Sequence, residues 1–217
     1  MRSLFIAAHP DDEVLGAGGS IAKLTASGGE VGIILLGEGP TSRDSKDKNQ
    51  SAEQAKKAAK ILGAQLVAHE NFPDQKFDSM DFLEITKRIS KYILDYKAEA
   101  VFTHHYEDLN RDHRIISEAV VVACRAKPIN KVNEVYFWEN ISSREWGIKA
   151  RTFMPQLYIE ISKTLVKKIE ALEAYTTECE AFPHPRSKES LEALARVRGT
   201  ECGQVAAEAF EVFRIIK

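Results

Sequence analysis

Residues 3–8 form a continuous apolar run that stops abruptly at the polar stretch HPDDE, a pattern that predicts a buried parallel strand feeding a helix. From Asp12 to about Ser27, Val14, Leu15, Ile21 and Leu24 recur on one helical face, closed by Gly28-Gly29. EVGIILLG (30–37) predicts a second buried strand, and SAEQAKKAAKILG (51–63) a helix that opens on a Ser cap and closes at Gly63. Between them EGPTSRDSKDKNQ (38–50) is a polar loop whose length points to function rather than mere connection. AQLVAH reads as a third strand, DFLEITKRISKYILDY (81–96) as a helix and EAVFTHH (99–105) as a fourth strand, again running into polar residues. DHRIISEAVVVACRA (112–126) follows as a helix and KVNEVYFWEN as a fifth strand. Two further stretches, SKTLVKKIEALEAYTTECEAF and SKESLEALARVRGTECGQVAAEAFEVFR, read as helical and are separated by PHPRS.

This alternation predicts a Rossmann-like α/β fold: a doubly wound, mostly parallel sheet with right-handed crossovers. It forms a single domain over 1–217 with a helical C-terminal portion, without repeat, low-complexity tract or linker. In open α/β sheets ligands lie beyond the carboxyl ends of the strands, near the point where strand order reverses. The polar clusters at 9–13 and 104–113 both fall at that edge, so the chain offers two loops expected to converge on one site.

Composition narrows the classes. The 30 Lys and Arg nearly balance 32 Asp and Glu, giving a net charge of −2, which argues against nucleic-acid binding driven by bulk charge. No apolar run approaches the roughly 20 residues that span a bilayer. The N-terminal run lacks a small-residue cleavage site and enters acidic residues at once, so it reads as a core strand and not a signal peptide. Cys124, Cys179 and Cys202 are far apart and odd in number, which suits reduced, structural thiols in a cytoplasmic protein.

A strand-to-helix turn needs one Asp or Ser; this one carries His9, Pro10, Asp11, Asp12 and Glu13. His9 and Asp12 lie three residues apart and can face one point, with Pro10 restricting the backbone between them. His113, at the start of the helix after THHYEDLNRDHR, supplies a second imidazole. Two His and one carboxylate with open positions form a catalytic zinc arrangement, and the same set also suits iron(II). Asp11, pointing away from Asp12, would sit beside the metal as the base for its bound water. Either residue alone would read as a helix cap or an ordinary polar side chain; two such clusters ending neighbouring strands read as a site. Glu13 suits the helix dipole, and at most one of His104 and His105 can face the site if the strand persists. His69 is expected to be structural. Gly16, Gly18 and Gly19 fall inside the helix and do not fit a dinucleotide fingerprint, so close packing explains them better.

AHPDDEVLGAGGSIAKL together with THHYEDLNRDHR strongly resembles the LmbE-like, or PIG-L, family of zinc-dependent N-acetylglucosamine deacetylases. The resemblance continues through FPDQKFD, ISSREW and FPHPRSKESLEALARVRG. It implies a Rossmann-like fold, zinc held by His9, Asp12 and His113, Asp11 as general base, and removal of acetyl from an N-acetylated sugar. Where related enzymes often carry a histidine, this chain has Asn110, an amide that can orient a carbonyl or a neighbouring ligand but cannot donate a proton near neutral pH. Asp112 takes the place of a residue that steadies a ligand. His184 in PHPRS is the substitute for the oxyanion role, with Arg186 either steadying it or binding an anionic group of the substrate. Arg43 in the long loop is a candidate for phosphate or sugar contact, and Trp146 for stacking on a sugar ring. The expected partner is a small N-acetylated sugar, as a free sugar, glycoside, nucleotide sugar or related glycan precursor, and a homo-oligomer is compatible with the sequence. The serious alternative is an amidase of the same fold acting on a thiol conjugate or other amide. A magnesium-binding receiver-like module fits poorly, because AHENF and WENIS lack the Asp and Lys it needs.

Overall fold

The computed structural model describes residues 1–39, 48–127, 129, 131–143 and 153–217. Among the described residues seven strands form one sheet: β1 (Arg2–Ala7), β2 (Glu30–Gly37), β3 (Gln65–Phe72), β4 (Ala100–His104), β5 (Glu134–Trp138), β6 (Leu157–Glu160) and β7 (Ala207–Ile215), in the order β3-β2-β1-β4-β5-β7-β6. The first five pair in parallel, while β7 runs antiparallel to both β5 and β6. The central strands are buried on both sides, which is why β1 and β2 read as unbroken apolar runs.

Six helices among the described residues cover the two faces: α1 (Asp12–Ala26), α2 (Lys48–Leu62), α3 (Phe82–Tyr96), α4 (Arg111–Ala123), α5 (Leu165–Ala174) and α6 (Lys188–Cys202). Phe5, Leu35, Phe102, Trp138 and Leu172 pack with α1, α2 and α5 into one core, where Phe5 stacks on Phe102 at 4.4 Å between ring centroids. Ile6, Ile34 and Val101 pack with α3 and α4 into the other. None of these helices is long and apolar enough to cross a membrane.

The glycines of α1 are packing devices. A Cβ on Gly16 would collide with the Trp138 indole, and one on Gly19 with Ile161, so the helix can lie against the sheet only where these side chains are absent. A buried ion pair bolts the same turn. Glu208 of β7 accepts from the Gly19 and Ser20 amides at 2.9 and 2.7 Å. Lys168 of α5 donates to Glu208 at 2.5 Å and to the Leu15 carbonyl at 2.8 Å.

The C-terminal portion corrects the sequence reading. Residues 187–214 are not helical throughout: α6 ends at Cys202, Gly203 turns the chain in the left-handed region at φ 71°, and β7 follows. Its Ala- and Glu-rich composition favours a helix locally, but Glu208 and Glu211 are both buried against partners distant in sequence, so tertiary contacts override propensity. β6 was likewise not expected.

Candidate active site

Strand order reverses between β1 and β4: β1 leads outward to β2 and β3, and β4 leads to β5. The loops leaving their carboxyl ends therefore meet over a crevice. β1 stops at Ala7, and the turn before α1 places Asp11 at φ 107°, an uncommon conformation for a residue with a side chain. From the other side β4 ends at His104, and Asn110 caps α4 by accepting from the Asp112 amide at 2.9 Å. That cap sets His113 in the first turn, facing His9.

Three donor atoms come together. His9 Nδ1 lies 3.3 Å from His113 Nε2 and 3.3 Å from Asp12 Oδ2, and His113 Nε2 lies 3.2 Å from the same oxygen. A tetrahedral zinc ion with bonds of 2.0–2.1 Å separates its ligand atoms by about 3.3–3.4 Å, so this triangle fits one face of such a site. The far side of each ring is oriented by a carboxylate. His9 Nε2 is 3.0 Å from Asp112 Oδ2 and 3.4 Å from Asp74 Oδ1, and His113 Nδ1 is 3.1 Å from Asp108 Oδ2. Protons held there leave the lone pairs of His9 Nδ1 and His113 Nε2 aimed at Asp12. Asp12 Oδ1 accepts from Asn140 at 2.6 Å, and Oδ2 accepts from the His9 amide at 2.9 Å, which fixes that carboxylate too. This His/Asp group could hold a metal ion.

His104 stacks on His113 at 3.9 Å, yet its Nε2 accepts from the Ala8 amide at 2.9 Å, so its lone pair is already engaged. Burial, then the neighbouring His113, pushes its pKa down to about 3, keeping it neutral. His105 turns to the opposite face and meets Glu211 at 3.2 Å, as strand alternation requires. His69 bonds the Gly37 carbonyl at 3.0 Å, a structural role.

Electrostatics follow from burial and pairing. For His9, burial opposes a charge, but hydrogen bonds to Asp112 and Asp12 outweigh it and raise the pKa to about 9. His113 is also raised, against burial, by Asp12 and Asp108. Burial works against the Asp12 anion too, but His113 and His104 hold its pKa well below the usual range. Asp11 moves the other way: burial, then the Asp12 and Glu178 charges, raise it. Glu13 is lifted by burial to about 7, with the Tyr175 hydroxyl bond opposing the rise.

A cavity of about 190 Å³ opens beside the triad, lined by Asp11, Asp74, Gln75, Asn110, Ser143 and His184 among others. Asp11 is 4% exposed, and its Oδ2 has no hydrogen-bond partner among the described residues. Arg186 Nη1 lies 3.6 Å from that oxygen and donates to Glu178 at 2.7 Å. His184 Nδ1 accepts from the Arg186 amide at 3.1 Å, which leaves Nε2 as the ring's donor.

His9, Asp11, Asp12, Asn110, Asp112, His113, His184 and Arg186 thus gather at one crevice. Arg43 and Trp146 lie outside the described residues. Sequence reasoning missed Asp74, Asp108, Asn140 and Glu178. Asp108 sits within the quoted polar cluster and Asp74 within FPDQKFD, so position after a strand was an available signal; a lone Asn after β5 and a lone Glu after α5 offered none.

Fold and donor set define an α/β enzyme whose strand-end crevice can hold one metal ion. Residues 4–124 match the family described as PIG-L, GlcNAc-PI de-N-acetylase, and the chain belongs to that family. It is similar to the uncharacterized deacetylase YaiS of Escherichia coli K12, at 30% identity over 164 residues, covering 74% of this chain and 82% of that one. A second relative, 1D-myo-inositol 2-acetamido-2-deoxy-alpha-D-glucopyranoside deacetylase of Segniliparus rotundus, is 26% identical over 256 aligned positions, covering 96% of this chain and 80% of that one. In fold it is similar to the conserved protein TT1542 from Thermus thermophilus, with a TM-score of 0.82 at 23% identity, covering 99% and 95% of the two chains. The chain is a deacetylase.

Proposed function

We propose that the protein is a zinc-dependent hydrolase that removes the acetyl group from an N-acetylated amino sugar. The observation that carries this reading is the triangle of His9 Nδ1, Asp12 Oδ2 and His113 Nε2, with edges of 3.2–3.3 Å, beside a buried Asp11 oxygen that no described residue hydrogen-bonds. These three residues would hold zinc; when bound, zinc polarises an amide carbonyl and lowers the pKa of water to about 7. Iron(II) would suit the same donors.

Asp11 receives the proton of the attacking water. Its burial among other carboxylates raises its affinity for a proton, so the carboxylate takes the water's proton readily, holds it until the amine departs and then delivers it there. His184 donates from Nε2 to the oxygen that gains charge, an interaction worth roughly 3–4 kcal/mol per donor. Asn110 spends its carbonyl on the α4 cap, which leaves its amide N–H groups for substrate. Arg186 sits between Asp11 and Glu178, so its charge serves the base rather than an anionic substrate group. Water and the acetamide become acetate and a free amino sugar.

The sugar assignment draws support from the family description and from the relative named for a 2-acetamido-2-deoxy-glucopyranoside. Three unpaired cysteines suit the cytoplasm. The test is acetate release by metal-stripped protein, with and without added zinc, from N-acetylhexosamines offered free, as glycosides and as nucleotide sugars. Zinc-dependent release from one member is the expected result. No release from any member, with zinc bound one per chain, would overturn the sugar reading and favour a different amide, such as a thiol conjugate.

A further inference from the structure

Asp11 sits in a conformation that its own sequence does not favour. At φ 107° and ψ −30° a residue with a side chain is strained, and such strain persists only where its surroundings over-determine it. Part of that hold is local, since the Asp11 carbonyl accepts from the Val14 and Leu15 amides at 2.9 Å each. A second hold comes from a buried pair outside the cavity lining. Glu13 is 1% exposed and accepts the Asp11 N–H at 3.3 Å on one carboxylate oxygen. Its other oxygen accepts the hydroxyl of Tyr175, fully buried at the end of α5, at 2.7 Å. A buried carboxylate is costly unless hydrogen-bonded, so the Tyr175 hydroxyl fixes where Glu13 sits, and Glu13 fixes the amide of Asp11.

We propose that Glu13 and Tyr175 are positioning residues for Asp11: a chain of two hydrogen bonds, anchored on α5, holds the base turned toward the metal triad. This rests on the reading of Asp11 as the general base. Neither Glu13 nor Tyr175 lines the cavity, so substrate binding and metal binding do not need them directly.

The experiment uses Tyr175→Phe, which removes the hydroxyl and keeps the ring, with Glu13→Gln as a second variant and Asp11→Asn as the reference. A displacement of a reacting group by about 1 Å costs up to about 10²-fold in rate. The expected result is a fall in kcat on the order of tenfold to 10²-fold for Tyr175→Phe, with KM and the one-per-chain zinc content unchanged. In the Asp11→Asn background the same change should lower kcat no further, because the two residues act as one unit. Crystallography of the metal-free Tyr175→Phe protein should show Asp11 relaxed from φ near 107°. An unchanged kcat, a change confined to KM or zinc content, or an Asp11 that keeps its φ overturns the inference. Full rate in Asp11→Asn alone overturns the base assignment and this inference with it. Loss of rate in Asp11→Asn beside a normal Tyr175→Phe overturns this inference only.

Discussion

Asn140 shows how much of the proposed metal site lies behind the residues that would hold the ion. Its amide donates to Asp12 Oδ1 at 2.6 Å, leaving Oδ2 for the two imidazoles. Asn140→Leu should lower zinc affinity by about 10–100-fold, the usual cost of losing a partner that orients a ligand, measured by competition with a chromogenic chelator. An unchanged affinity would mean that the His9 amide alone fixes Asp12. That His9, Asp12 and His113 would meet was legible in the sequence, because two imidazoles and a carboxylate fall after two strands expected to be neighbours. Asn140, Asp108 and Asp74 were not, because each is a single common residue whose meaning appears only when distant loops meet.

At the scale of elements, α1 is held by charge as well as by shape. Lys168 on α5 and Glu208 on β7 are each almost wholly buried and bond one turn of α1 between them. Removing one partner of such a pair leaves an uncompensated charge, which costs about 3–5 kcal/mol. Lys168→Met should therefore lower unfolding stability by that amount in urea titration, and Lys168→Met with Glu208→Gln should recover part of it. Equal losses in the single and double variants would show that packing, not charge, dominates there. The strands and helices up to β5 were readable because their periodicity agrees with their burial. β7 was not, since its Ala/Glu run looks helical and its alternation is masked by glutamates whose partners are Lys168 and His105. The end of α6 at Gly203 was a usable signal that the helical reading passed over.

For the whole molecule, a metal ion held by His9, Asp12 and His113, as proposed, would compete with protons for the two rings. Burial works against charge on His9 and His113, yet the carboxylates around them raise both pKa values, His9 from 6.5 to about 9. In metal-free protein this pairing stabilises the fold fully below pH 6.5 and is lost as pH rises through 9. Zinc at the proposed site would need the unprotonated rings, so its uptake should release protons and its affinity should rise over the same window. Zinc at a thousand times its Kd should stabilise the fold by about 4 kcal/mol, roughly 8–16 °C in Tm for a chain of this size. At a fixed zinc concentration the gain should be larger at pH 8 than at pH 6, read by thermal unfolding with and without chelator. A gain that is flat across that range would show that the two rings are already neutral before zinc arrives.

The bond from the Gly19 amide to the Glu208 carboxylate joins residues 189 positions apart. On a ribosome adding about 5–20 residues per second, the turn that carries His9 and Asp12 emerges on the order of ten to forty seconds before the strand that locks its helix. Nascent chains stalled before residue 208 would carry the whole HPDDE turn without its bolt. The helix that begins at Asp12 is bolted only once Glu208, in the strand that follows every other strand among the described residues, has been made.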